Sequence, residues 1–221
     1  MSYRIVPVAE RHMRRRGFFP VIGGACIFPS GLLAGGEASS ALPTTGSTWS
    51  GLEMTFGKHD AKVDILLWMN LSDVESAWRF DPLAALLFDR HVPAGNVRLT
   101  IRDICDGRQA LWAALAARSG GPELYRQMAS SLYMGVSDIG SRGGADELAA
   151  AIVQAVEHHG VPRSQIMRVM TDRDLSLRLS RAAGTAPDGA MPRAFVNGKD
   201  IGLAEPDVID ASIAELLEGG I

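Results

Sequence analysis

Thiol chemistry is the first possibility to weigh in this 221-residue chain, because it holds two cysteines, Cys26 and Cys105. Dithiol exchange needs a pair: one thiolate attacks a disulfide, and a second thiol resolves the mixed disulfide. Cys26 and Cys105 lie far apart in sequence, and no C-x-x-C occurs. There is likewise no H-E-x-x-H, paired Cys/His cluster, G-x-G-x-x-G or Walker-type loop, so neither a metal nor a cofactor is expected. His158-His159 precedes Gly160 near a helix end, where imidazolium meets the negative pole of the helix. Adjacent helical side chains diverge, which argues against a shared metal. His91, near Pro93, reads as another helix-end residue. Trp68, Trp78 and Trp112 are expected in the core.

One segment has the residue types of an anionic helix start. In Ser72-Asp73-Val74-Glu75-Ser76, Asp73 can cap the helix by accepting backbone N–H bonds, worth about 1 kcal/mol. Alternatively Ser72 is the cap and Glu75 closes a capping box.

The elements that position these residues follow from periodicity. Lys62 to Met69 (KVDILLWM) reads as a buried central strand. From Asp73 a helix begins, with Trp78, Leu83, Leu86 and Leu87 as its stripe and Pro82 as a kink. Val97, Leu99 and Ile101 alternate with Arg98, Thr100 and Arg102 as a second strand, completing a parallel β-α-β unit. An alanine-rich helix spans Ala110 to Arg118, and Pro122 sits in the first turn of the next helix, toward Tyr133. Ser137 to Gly144 breaks the pattern. Leu148, Ile152, Val153 and Val156 mark one helix, Pro162 opens another, and Asp172 to Ala183 continues helical. Pro192 to Val196 is a strand that Asn197-Gly198 turns into a hairpin with Lys199 to Leu203. A final helix carries Val208, Ile209, Ile213, Leu216 and Leu217.

The N-terminus has the order of an export signal. Arg11, Arg14, Arg15 and Arg16 precede the apolar, glycine-rich Gly17 to Gly36, then small residues up to Ala41. Pro20, Pro29 and the glycines make a poor permanent membrane helix, so no stable span is expected after signal removal. Arg15-Arg16-Gly17-Phe18-Phe19 resembles a twin-arginine signal, with Arg14 and Pro20 departing from its usual flanks. Residues 1–38 are assigned to this leader, which contains Cys26, and 39–50 to a linker. Cleavage after Ala38 or Ala41 fits equally. A cut after Ala38 leaves 17 basic and 23 acidic side chains, a net of -6 against -3 for the whole chain. No long basic run lies outside the leader, which excludes nucleic acid as an expected partner.

From Lys62 onward the sequence resembles DsbA-like thioredoxin-fold proteins. The likeness is carried by Leu71 to Ala77, by Val97-Arg98-Leu99-Thr100-Ile101-Arg102-Asp103, by Ala113 to Tyr133, and by Met191-Pro192-Arg193-Ala194-Phe195-Val196-Asn197-Gly198. It implies an α/β, thioredoxin-like fold over residues 51–221, with a helical insertion at about 107–185. It also implies a cis Pro192, and a C-x-x-C position occupied here by Asp73, Val74, Glu75 and Ser76. The family's groove for extended polypeptide would be lined by those residues with Met191 and Pro192. The expected function is a redox-inactive, polypeptide-binding or chaperone-like module in the periplasm, acting on a protein partner, with homodimerisation possible. The alternative is an enzyme: a monothiol using Cys105, or a glutathione-using transferase or isomerase of this fold acting through Ser72 or Ser76. Cys105 is otherwise a small buried residue, an unpaired thiol worth noting in an exported protein.

Overall fold

The structure, a computed structural model, describes residues 48–49 and 53–219. The leader, its twin arginines, Cys26 and the candidate cleavage sites lie outside the described residues, as does most of the linker.

Seven consecutive residues, Val63–Met69, form strand β3, with both of its faces covered toward the C-terminal end. That double burial is why the segment reads as an apolar run rather than an alternation. Strand β4 (Val97–Asp103) alternates strictly, each odd-numbered residue buried and each even-numbered one half-exposed. The two pair in parallel, from Val63 opposite Val97 to Met69 opposite Asp103. Strand β5 (Arg193–Val196) runs antiparallel to β3 and pairs with β6 (Lys199–Leu203). Asn197 (φ 47°) and Gly198 (φ 78°) form the hairpin turn, where two left-handed residues match the twist of the strands. Asn197 ties that tip to β3, accepting the Asp64 N–H at 2.7 Å and donating its own N–H to the Asp64 carbonyl at 2.8 Å.

Two further strands escaped the sequence reading: β1 (Thr48–Trp49), inside the expected linker, and β2 (Met54–Phe56), antiparallel to β4. Both are too short to display a period. The full order is β1-β2-β4-β3-β5-β6.

Between β3 and β4 runs α1 (Val74–Ala84), continued by a π-helical segment, Ala85–His91. Pro82 cannot donate to the carbonyl four residues earlier, and the wider turn follows it, with Val92 N–H reaching the Leu87 carbonyl at 2.9 Å. The buried face is Ser76, Phe80, Leu83, Ala84 and Leu87. Trp78 lies off that stripe and is 74% exposed, which corrects its expected place in the core. Trp68 is buried in β3, and Trp112 packs half-buried at the core's margin.

The helices between β4 and β5 are α2 (Arg108–Arg118), α3 (Gly121–Met134), α4 (Val136–Gly140), α5 (Ala145–Val156), α6 (Arg163–Met170) and α7 (Arg173–Ala183). Helix α2 is the hub: α3, α5, α6 and α7 all pack on it. Its alanines 110, 113, 114, 116 and 117 are buried on several sides, and small side chains permit that approach. The expected break at Ser137 to Gly144 is partly taken up by the short helix α4, anchored by buried Val136 and Ile139. Helix α8 (Pro206–Glu218) packs on α1, β3 and β5 through Ile209 and Ile213. One continuous apolar core joins the sheet to the helical layer. Among the described residues no helix is long and apolar enough to cross a membrane.

Candidate functional site

The carboxyl ends of β3 and β4 and the start of β5 lie at the same end of the sheet, and the Asp73 turn, Cys105 and the Met191–Pro192 loop are attached there. Beyond β3 the chain turns through Asn70, whose side chain organises the turn. Its Oδ1 accepts from Ser72 N–H at 2.9 Å and from the Ser72 hydroxyl at 2.8 Å, while its amide donates to Asp106 at 3.1 Å. Asp73 then starts α1 in an extended conformation (φ -101°, ψ 128°), and its carboxylate accepts the Ser76 N–H at 2.7 Å. Asp73, rather than Ser72, is therefore the cap. Glu75 closes no box; it pairs with Arg79, which also reaches Glu205. Ser76 is fully buried, and its hydroxyl has no hydrogen-bond partner among the described residues.

On one side of this turn lies the proline loop. The register pairs Trp68 with Arg193, so Pro192 stands one step beyond, level with Met69. The Met191–Pro192 peptide bond is cis. Pro192 is buried, its carbonyl accepting from Ala204 N–H at 2.8 Å, and Met191 is half-buried.

On the other side lies Cys105. The Met69 carbonyl accepts from Ile104 N–H at 2.7 Å, which brings the end of β4 beside the turn. The Cys105 thiol is half-buried, 3.8 Å from the Asp103 carbonyl oxygen. Burial first, then the charge of Asp103, push its pKa up to about 12, with Arg118 working the other way and Asp106 adding a smaller rise. Such a thiol is overwhelmingly neutral near pH 7 and a poor nucleophile.

Behind the site is an ionic cluster that sequence reading did not find. Asp103 ends β4, and Arg118 closes α2; their side chains are fully buried and meet at 2.5 Å. Tyr125 on α3 donates to the same carboxylate at 3.2 Å. Burial opposes the Arg118 charge most strongly, but Asp103, Tyr125 and Cys105 together outweigh it and the guanidinium stays charged. Burial, reinforced by Asp103, pushes the Tyr125 hydroxyl well above its ordinary range. The available signal was an arginine at the end of a helix whose preceding eight residues are all apolar.

The histidine pair also departs from expectation. Helix α5 tightens into a 3-10 turn, Glu157–His159, and the two rings sit 4.0 Å apart instead of diverging. Both Nε2 atoms face the Ser131 hydroxyl, at 3.4 Å (His158) and 2.8 Å (His159). Among the described residues no group of three His, Cys, Asp or Glu side chains gathers as a metal site would require. His91 Nε2 lies 2.9 Å from Asp210 on α8, tying the end of the π-helical segment to the last helix.

No family model and no curated protein matches the sequence. Solved structures do. α-DsbA1 of Wolbachia pipientis superposes with a TM-score of 0.65 at 11% identity, covering 75% of this chain and 90% of that one. Oxidised BdbD of Bacillus subtilis gives 0.62 at 17% identity, covering 79% and 97%. A protein-disulfide isomerase from Novosphingobium aromaticivorans gives 0.60 at 12% identity, covering 74% and 97%. Identities this low speak to the fold alone, and on that ground the chain has the DsbA-like thioredoxin fold.

Proposed function

We propose that this chain is an exported, redox-inactive relative of the thiol-disulfide oxidoreductases of its fold, and that it binds extended polypeptide at the edge formed by the α1 turn and the Met191–Pro192 loop. The reading rests on Asp73. Its carboxylate caps α1 at 2.7 Å from Ser76 N, in the position where the resemblance puts an attacking thiolate. Ser76 takes the place of the resolving thiol, so neither half of a disulfide can form there. Cys105, the one cysteine among the described residues, is half-buried with a pKa near 12, which argues against monothiol catalysis. The Ser72 hydroxyl is engaged by Asn70 and that of Ser76 is buried, which argues against a serine acting on glutathione. The basic-apolar leader supports export to the periplasm.

Insulin reduction by dithiothreitol tests the redox half. The wild-type chain and Cys105→Ser should leave the rate at background, whereas Asp73→Cys/Ser76→Cys should accelerate it. Wild-type turnover abolished by Cys105→Ser would overturn the reading in favour of an enzyme. Saturable binding of an unfolded polypeptide, weakened by Met191→Ser, tests the binding half; equal binding by that variant rejects the proline-loop groove. Fractionation of cells expressing the full chain tests export, which retention in the cytoplasm would contradict.

A further inference from the structure

A concave surface lies along α1. Its walls come from α1 (Val74, Trp78, Asp81), the end of α3 (Tyr133, Met134) and α4 (Val136). It encloses about 280 Å³, below the roughly 300–1,000 Å³ of typical small-molecule sites and of a size for one large side chain. Trp78 is 74%, Met134 77% and Val74 43% exposed, three large apolar side chains gathered at one opening. Isolated exposed apolar residues are ordinary, but a cluster rimming a cavity marks a contact surface.

The charged side chain in its wall is acidic. Asp81 stands in the wall, hydrogen-bonded only to the Ser130 hydroxyl at 3.0 Å. The neighbouring cations are already committed: Arg79 to Glu75 and Glu205, Arg142 to Asp138, and Arg126 to Asp89. Among the described residues, no side chain lining the cavity is basic. The opening thus offers an indole face, a flexible thioether and the Asp81 carboxylate.

We propose that this cavity anchors a partner polypeptide through an arginine or lysine side chain flanked by apolar residues. The cation would lie over the Trp78 ring and against Asp81, while the flanking residues cover Val74 and Met134. This deepens the polypeptide-binding reading and rests on it, but it uses a surface to which the proline loop contributes nothing.

The test is calorimetric titration of the full chain with a ten-residue peptide alternating arginine with leucine, and with its glutamate counterpart. The arginine peptide should bind saturably, and the glutamate peptide at least about tenfold more weakly. Trp78→Ala should weaken the arginine peptide about tenfold, and Asp81→Asn about threefold, with thermal melts confirming that both variants fold. Equal affinity for the two peptides, or no effect of Trp78→Ala, overturns the inference. A loss confined to Met191→Ser leaves the proline-loop groove standing and rejects this cavity. A loss confined to Trp78→Ala does the reverse. Sedimentation showing a dimer that Trp78→Ala dissociates would make the surface a self-interface and also overturn the proposal.

Discussion

The carboxylate of Asp103 and the guanidinium of Arg118 meet at 2.5 Å with both side chains withdrawn completely from solvent. One residue ends a central strand and the other closes the hub helix, so the ion pair joins the sheet to the helical layer. Two charges in such a place are costly to desolvate, and each is tolerated only because the other is present.

Arg118→Leu would leave the Asp103 carboxylate buried opposite an apolar side chain. The expected loss is about 3–5 kcal/mol in urea unfolding. Asp103→Leu/Arg118→Leu should cost less than the sum of the two single changes, because neither charge is left alone. Tyr125→Phe, which removes only the hydroxyl bond to Asp103, should cost about 1 kcal/mol. A single-variant loss below about 1 kcal/mol for Arg118→Leu would refute a structural role for the pair.

Cys105 should react sluggishly in the folded protein. A shift from 9.0 to about 12 lowers the thiolate fraction near pH 8 about a thousandfold, so labelling by a disulfide reagent should be slow until the chain is denatured. The raised pKa favours the neutral thiol in the fold. Its contribution to stability is therefore present below pH 9 and declines as the pH rises toward 12. Native labelling as fast as that of the denatured chain would contradict this account.

Asp73→Ala should destabilise the chain by about 1 kcal/mol, the ordinary value of a lost N-cap. Asp73→Asn or Asp73→Ser retains an acceptor for the Ser76 N–H and should recover most of it. If the alanine and asparagine variants melt alike, the capping bond at 2.7 Å contributes little.

His159 should titrate below the usual 6.5, because burial and then the neighbouring His158 disfavour its charged form. The folded state thus prefers the neutral ring. The stability this contributes is present above pH 6.5 and is lost as the pH falls through the folded midpoint. His158→Ala removes the like charge and should move the His159 midpoint upward in an imidazole proton NMR titration. An unchanged midpoint would remove His158 as a cause.

Much of the scaffold could be read in the chain itself. The apolar run of β3, the alternation of β4, the Asn197-Gly198 turn and the prolines opening α3 and α6 are local signals with local causes. So is the lack of a C-x-x-C, which needs no coordinates to establish. Tertiary structure decided what depends on partners distant in sequence or on helix phase. Which of Ser72 and Asp73 caps α1 turned on Asn70 taking the Ser72 hydroxyl. Trp78 faces solvent because Ser76, Phe80 and Leu83 set the buried side of the helix, and an indole alone cannot announce its direction. His158 and His159 converge because a 3-10 turn replaces the last α-helical turn. The Asp103–Arg118 pair exists only once a strand end and a helix end meet, a contact that neither segment's periodicity encodes.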